Sequence, residues 1–399
     1  MRYDFSFNRI INNKDVVFYK HLSINQVLCK KLGINYNLID QKINIYFFLK
    51  NIFSLSFYLI LKRFGLSASI IYLYIKENKP KFILTFVDND INFYIYKKFF
   101  KNIFFISIQN GIRNKFYDLP GHPQLKNLAK KDLLSCDYMF VFGTAYKDFI
   151  SKYIKSKFVI SGSFFNNFKK KFELNNNQKK ILIISQFRDK NQLIKSNILI
   201  NGYYSHFGLK TKISIKDINS VYYYLGKVLS LVCKKFNIEI LVLGASKKYF
   251  ENEKKFFLQA FKNFRFKFIK NTNSRNQFSF IDRTNLVISS GSTLGHESLS
   301  RNKNTLFVPT KRRNFFRDQK QGDDLWCGPF WPEYTLNPKL LLTFNNLNED
   351  FQRITSLLFV KKQSCMQKDY SSRLRHKLIY YDYNNLKLIN KLKEIINLH

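Results

Sequence analysis

Between Asn285 and Pro309 the chain reads NLVISSGSTLGHESLSRNKNTLFVP, the stretch around which the rest of the chain is organised. Leu286 to Ile288 is a short β-branched run of the kind buried in a sheet, and it breaks at the small residues Ser289 to Thr293. Leu294, Ser298 and Leu299 then recur at helical spacing. Ser292 or Thr293 supplies an N-cap, and Arg301 sits near the negative pole of the last turn. A second apolar run, Thr305 to Val308, ends at Pro309. Strand, turn, helix and strand make one βαβ unit, which requires a parallel sheet with helices laid against it.

The turn of that unit collects backbone N–H groups, hydroxyls and the positive end of a helix dipole at one point, which is an anion site. Its candidate anion-binding residues are Ser290, Gly291, Ser292, Thr293 and Gly295, the glycines removing side chains where a phosphate approaches the backbone. Glu297, one turn along, is placed to accept hydrogen bonds from ribose hydroxyls. An ordinary capped helix reads the same way, because neither G-x-G-x-x-G nor GxxxxGK[ST] is present.

The same rhythm recurs along the chain. Residues 1–41 are mixed in pattern. Ile43 to Leu61 is the most apolar stretch, but Lys50 and Asn51 split it, and a spanning helix needs about 20 mostly apolar residues. It reads as a core helix, with an aromatic-rich helix lying on a bilayer as the alternative. Lys81 to Asp90, KFILTFVDND, runs from an apolar strand into Asp88, Asn89 and Asp90, at the kind of strand end where α/β sheets place chemistry. Ile103 to Ile108 is followed by Gln109, Asn110, Gly111, Ile112 and Arg113, in which Asn-Gly makes a sharp exit and Gln109 and Arg113 point above the sheet. Strands at Tyr138 to Phe142 and Phe158 to Ile160 complete a first Rossmann-like domain of four strands.

Asn166 to Lys180 is polar and charged and reads as a linker. The alternation restarts at Ile181 to Ile184, which exits through Ser185, Gln186, Phe187 and Arg188. A helix at Ile215 to Lys235 leads to the strand Glu239 to Leu243 with its exit at Gly244. A helix at Lys248 to Lys262 and a strand at Arg265 to Ile269 return the chain to the opening stretch. Ser185, Gly244 and Ser290 are expected along one edge of a second sheet, facing the first domain across a cleft. Beyond Pro309, Lys311, Arg312 and Arg313 suit a diphosphate or a solvated basic loop. Trp331 suits packing or sugar stacking, and the basic segment Asn348 to Leu398 has a helical pattern.

Hydrophobic residues make up 45% of the 399, which excludes a disordered chain. The formal charge of +40 is spread along the whole length and accompanies abundant Lys, Asn, Ile, Phe and Tyr, the mark of an AT-rich coding sequence. No zinc-finger spacing, RNP-like run or basic zipper is visible, so nucleic acid is not an expected partner, whereas an anionic membrane surface is. The five cysteines are scattered without a CxxC pair, which predicts buried free thiols in a reducing compartment and no metal. With Asp4, Asn8 and Arg9 interrupting the opening residues, no secretory leader is expected, and the chain reads as cytoplasmic and peripheral on the inner face of the membrane.

Together, TFVDND at Thr85 to Asp90, SIQNGIR at Ser107 to Arg113, GSFFNN at Gly162 to Asn167, ISQFR at Ile184 to Arg188, STLGHES at Ser292 to Ser298 and GPFW at Gly328 to Trp331 carry a resemblance. They resemble, in order, the bacterial O-antigen, or surface-carbohydrate, biosynthesis family. The S-T-L-G-x-E element is more distantly similar to GT-B glycosyltransferases. His296 stands where an aromatic such as Tyr is expected, and its ring is expected on the helix flank. The GT-B likeness implies a nucleotide-sugar at the late helix and an acceptor entering from the N-terminal domain of two Rossmann-like domains facing a cleft. The expected partners are a nucleotide-sugar donor and a glycan or lipid-linked glycan acceptor.

The resulting expectation is an α/β, GT-B-like chain with an acceptor domain at 1–167, a linker at 168–180, a nucleotide-donor domain at 181–345 and a helical tail at 346–399. Asp88 and Asp90 are the candidate catalytic bases, and strand-end capping is the alternative for each. Asn89, Gln109, Asn110, Gly111 and Arg113 are candidates for acceptor binding. Ser185, Gln186, Arg188, Gly244, the helix-turn residues above and Lys311 are candidates for donor binding. No cofactor or metal is expected, although Asp88-Asn89-Asp90 also spells the metal-holding D-x-D pair of GT-A enzymes. A nucleotide-sugar epimerase and a non-catalytic scaffold of a glycan assembly complex are the rival readings.

Overall fold

The structure, a computed structural model, describes residues 5–6, 15–20, 22–39, 43–44, 49, 53–54, 57–58, 61–62, 65–112, 124–172, 178–187, 189, 199–200, 203–206, 209–212, 215–245, 248–271, 276–289, 292–308, 310–311, 325–326, 342, 346–359 and 377–397. The chain forms two compact units. The first comprises Met1–Asn110, Asp118–Phe164 and Asn385–His399, and the second Gly111–Tyr117 and Phe165–Asn384.

In the first unit, β1 (Val16–Phe18), β2 (Asn37–Leu38), β3 (Phe82–Thr85), β4 (Phe104–Ile108), β5 (Ser135–Val141) and β6 (Lys155–Ile160) form one sheet in the order β2-β1-β3-β4-β5-β6. All five pairings are parallel. The connecting helices are α1 (Ser23–Leu32), α2 (Leu66–Asn78), α3 (Ile91–Phe99), α4 (Leu125–Lys130) and α5 (Thr144–Ile150). The sheet has six strands where four were expected, because residues 1–41 supply β1, α1 and β2. A strand of three residues is too short to show a period. Since β2 lies on one side of β1 and β3 on the other, the strand order reverses between β1 and β3. Such reversals open a crevice at the carboxyl ends of the strands.

The second unit contains β7 (Lys179–Ile184), α6 (Ile215–Lys235), β8 (Ile238–Leu243), α7 (Phe250–Ala260), β9 (Lys267–Ile269), α8 (Gln277–Asp282), β10 (Leu286–Ser289), α9 (Thr293–Ser300), β11 (Asn304–Phe307) and α10 (Leu347–Phe359). Its parallel sheet runs β9-β8-β7-β10-β11, and its order reverses between β7 and β10. Both faces are covered, which explains why β7 reads as a continuous apolar run. Ile181 and Ile183 pack with Leu225 and Leu229 of α6 and Ile354 of α10. Leu182 and Ile184 point the other way, onto Phe278, Ile281 and Leu294.

Two expectations change in physical detail. Of the described residues within Ile43 to Leu61, Phe57 is buried but Leu49, Phe53, Tyr58 and Leu61 are exposed, so these described positions do not share one core face. The last helix, α11 (Leu386–Asn397), belongs to the first unit, where its buried face carries Leu388, Leu392 and Ile395. Cys29 and Cys136 are buried free thiols and Cys233 is half-buried, while Cys327 and Cys365 lie outside the described residues. Among the described residues, no helix is long and apolar enough to cross a membrane.

Candidate functional site

The reversal between β7 and β10 places the exit of β7, at Ser185, next to the exit of β10, which leads to Ser292 and Thr293. β7 exits into Ser185, whose Oγ accepts the Phe187 N–H at 3.0 Å, and the Gln186 N–H donates to the Tyr222 hydroxyl at 2.6 Å. β8 exits at Gly244. A Cβ there would lie 3.1 Å from the Phe268 ring and 3.2 Å from Glu253 Oε2. The fully buried Glu253 carboxylate accepts the next backbone N–H, that of Ala245, at 2.9 and 3.1 Å. β10 leads into α9, where Ser292 is the N-cap and its Oγ accepts the Leu294 N–H at 3.2 Å.

Thr293 differs from the sequence expectation in having a protein partner. Its Oγ1 accepts the N–H of Ile112 at 3.2 Å, and Gly111–Tyr117 is counted with the second unit. A hydroxyl that accepts one hydrogen bond keeps its own proton to donate, so both Ser292 and Thr293 remain competent toward an anion. Gly295 has a packing reason to be glycine, since a Cβ would lie 2.4 Å from Ser289 Oγ. This is the close helix-to-strand approach typical of dinucleotide folds. Glu297 is buried at 6% exposure.

His296 lies on the α9 flank but is fully buried, with its ring 4.8 Å from that of Phe307 and its Nδ1 bonded to the Ser292 carbonyl at 3.2 Å. Burial pulls its pKa down to about 4. Arg188, Ser290, Gly291, Arg313 and Trp331 lie outside the described residues. The Lys311 backbone pairs antiparallel with Leu325, and its side chain is likewise outside the described residues.

The helix end opposite Ser292 is fixed by a buried ion pair. Arg301 Nε donates to Asp282 Oδ1 at 2.7 Å and Nη2 donates to Asp282 Oδ2. The same guanidinium reaches Asn166 Oδ1 and the carbonyls of Asn166, Lys169 and Lys170. The polar segment that begins at Asn166 is thereby fastened at its start.

In the first unit, three strand exits are spliced by side chains. Asp88 is fully buried, and its Oδ1 accepts the Asn110 N–H at 3.1 Å. Gln109, 2% exposed, accepts the Phe142 N–H on Oε1 at 2.7 Å. Asp90 is the N-cap of α3, accepting from Asn92 N–H at 3.1 Å, and its Oδ2 lies 2.6 Å from Lys20 Nζ. Asp90 therefore stands at the β1/β3 reversal. Asn89 is half-buried on the same loop and Gly111 follows Asn110, while Arg113 is outside the described residues. Lys20 was missed from sequence. Its signal is the run Val16-Val17-Phe18-Tyr19 ending in a cation before a helical pattern.

A family model described as "putative O-antigen biosynthesis protein" matches residues 104–396. The match includes β4 and the whole second unit from Phe165 to Asn384, while Asp88 and Asp90 precede it. No curated protein matches the chain. Among solved structures, the S. aureus MnaA–UDP complex is 12% identical, with 97% of this chain and 98% of that chain covered and a TM-score of 0.50. A UDP-N-acetylglucosamine 2-epimerase is 12% identical over 98% of each chain, with a TM-score of 0.51. A glycosyltransferase from Rickettsia africae is 13% identical, covering 97% of this chain and 99% of that chain with a TM-score of 0.50. The likeness is one of fold, and the fold is GT-B-like.

Proposed function

The chain belongs to the O-antigen biosynthesis protein family, and from that premise we propose that it is a metal-independent GT-B-type glycosyltransferase. It would move a sugar from a nucleotide-activated donor onto a glycan or lipid-linked glycan of a surface polysaccharide. The observation that carries this reading is the start of α9, where two hydroxyls with protons to donate stand at a positive helix end beside the β7/β10 reversal. Removing one such oxyanion donor typically costs about 10² to 10³ in kcat.

In this reading residues 181–345 hold the donor and residues 1–167 the acceptor. Ser292, Thr293, Ser290 and Gly291 take the diphosphate, with Arg188 and Lys311 as its cations. Ser185, Gln186 and Gly244 line the neighbouring strand exits, and Glu297 accepts from the ribose. On the acceptor side the Asp90 side chain is 16% exposed, while Asp88 is fully buried, so Asp90 is the carboxylate that a hydroxyl can reach. Asp88 holds the Asn110 N–H and Gln109 the Phe142 N–H, while Asn89, Asn110, Gly111 and Arg113 are the residues proposed to bind the acceptor. The acceptor oxygen attacks the anomeric carbon and its proton passes to Asp90. The bond from that carbon to the diphosphate breaks, and the electron pair leaves with the nucleotide. The +40 charge and the exposed Leu49 and Phe53 support attachment to an anionic membrane surface.

The test uses UDP-, GDP- and CDP-linked sugars with and without a glycan acceptor. Thermal stabilisation by a nucleotide-sugar is expected, because ligand binding to the native state raises the melting temperature. Nucleotide release that requires acceptor identifies a transferase. Isomerised donor without acceptor would identify an epimerase instead, and no stabilisation by any donor would end the reading.

A further inference from the structure

The proposed reaction leaves the carboxyl end of β1 without a task, yet β1 borders the reversal of the first sheet. Tyr19 and Lys20 follow it directly. Lys20 Nζ lies 2.6 Å from Asp90 Oδ2, and the Tyr19 hydroxyl donates to the same oxygen at 3.1 Å. Asp90 Oδ1 is committed to the Asn92 N–H. The Tyr19 ring rests on Phe93 and Tyr96, with centroids 5.4 and 6.0 Å away. Burial holds its hydroxyl well above the usual phenol range, so it stays a donor. Asn25, fully buried, fixes the loop by donating Nδ2 to the Lys20 carbonyl at 2.9 Å. On this rigid bed the Lys20 side chain is 36% exposed, more than twice the 16% of Asp90.

Charge decides what such a group recognises. In a chain of formal charge +40, this lysine is already neutralised at contact distance. A phosphate arriving here would have to displace Asp90 and would meet a carboxylate of its own sign. A sugar hydroxyl meets no such conflict. It accepts from the ammonium and donates to the carboxylate at once, so the pair need not separate.

We propose that Lys20 and Asp90 form a subsite for the hydroxyls of a neutral sugar, with Lys20 donating and Asp90 accepting. The inference rests on the first unit being the acceptor side, and it adds Lys20 as a binding residue that selects uncharged saccharide. A hydroxyl bonded to both groups from the solvent side also has its proton beside the Asp90 oxygen that takes it in the transfer.

The experiment titrates the full chain with methyl α-glycosides of glucose, galactose, mannose and N-acetylglucosamine, and separately with the corresponding 6-phosphates, by saturation-transfer NMR. UDP, GDP and CDP are titrated alongside. At least one neutral glycoside should bind, and Lys20→Met should weaken it by roughly ten- to a hundredfold, the range for losing a hydrogen bond from a charged group. Nucleotide affinity should not move. Where Lys20→Met does not fold, Asp90→Asn is read instead, and a similar loss of about tenfold is expected. Absence of neutral-glycoside binding, unchanged affinity in the variant, or binding confined to the 6-phosphates would overturn the proposal. Failure of wild-type protein to bind any nucleotide is a separate result, and it strikes the donor reading alone.

Discussion

Replacing Arg301 with Met removes the hub behind α9, and the structure sets the size of the effect. The guanidinium is fully buried, and so is the Asp282 carboxylate it faces. Four further contacts run to Asn166 Oδ1 and to the carbonyls of Asn166, Lys169 and Lys170. Breaking a buried pair by removing one partner costs about 3 to 5 kcal/mol, because the carboxylate left behind is out of water and has lost its direct counter-ion. It keeps the Phe172 N–H at 3.3 Å, and Lys303, whose Nζ donates to the Asp282 carbonyl, stays nearby, which places the expected cost toward the lower end. Against a total stability of about 5 to 15 kcal/mol for a domain, that is a large share. At about 2 to 4 °C per kcal/mol for a unit of this size, the melting temperature should fall by roughly 6 to 20 °C. Arg301→Lys keeps the charge but not the planar fork, and it should fall in between. Arg301→Met combined with Asp282→Leu should recover part of the loss, since the stranded carboxylate is gone while the orphaned carbonyls remain. Scanning calorimetry on the three variants reads all of this. A drop below about 2 °C for Arg301→Met would refute the reasoning that this pair anchors the unit.

Other expectations follow from the same region. His296 is held neutral with its pKa near 4 against 6.5 for an exposed histidine, so the unfolded state takes up the proton first as pH falls. Stability should be full above pH 6.5 and decline by about 3 kcal/mol on the way to pH 4, and His296→Phe should flatten that decline in pH-resolved urea melts. Ser292→Ala should cost about 0.5 to 2 kcal/mol of stability through the lost cap and weaken nucleotide-sugar binding by about ten- to a hundredfold. Calorimetric titration showing wild-type affinity would leave Ser292 as a cap alone. Thr293→Ala should weaken the donor similarly and also release the Ile112 N–H, which hydrogen exchange at that amide would report. Transfer should persist in EDTA, because the proposed leaving-group stabilisers are hydroxyls, a helix end and cations; loss on chelation restored by Mg²⁺ or Mn²⁺ would move the chemistry to Asp88 and Asp90.

What could be seen in the sequence depended on how local the physics was. The helix Ile215–Lys235 shows its own period over 21 residues, and its bounds are readable without knowing the fold. The strand at Leu286 and the Ser292 cap are likewise local signals, as is the parallel sheet they imply. β1 escaped notice because Val16–Phe18 spans three residues, and with it went Lys20 and the reversal of the first sheet. The partner of Thr293 is Ile112, 181 residues away, and no spacing rule reaches so far. Gly295 and Asp88 show a subtler limit. Composition marked them as special, but only packing against Ser289 and the bond to the Asn110 N–H show what holds each in place.

The placement of α11 bears on the order in which the chain can fold during synthesis. The first unit is discontinuous, and its helix Leu386–Asn397 emerges only after the entire second unit has been made. The junction is the bond from Asn385 Nδ2 to the Phe164 carbonyl, which spans 221 positions. Closing so long a loop from an unfolded chain is entropically costly and slow. The second unit shortens it. Within that unit Asp382 N–H binds Asn167 Oδ1 at 3.0 Å and the Tyr381 hydroxyl binds the Lys169 carbonyl at 2.7 Å. Once it has folded, the chain on either side of it is already held within a few residues of the junction. The middle of the chain thus acts as an internal template, and the nascent first unit waits, with the apolar face meant for Leu388 and Leu392 uncovered, until that template delivers its last helix.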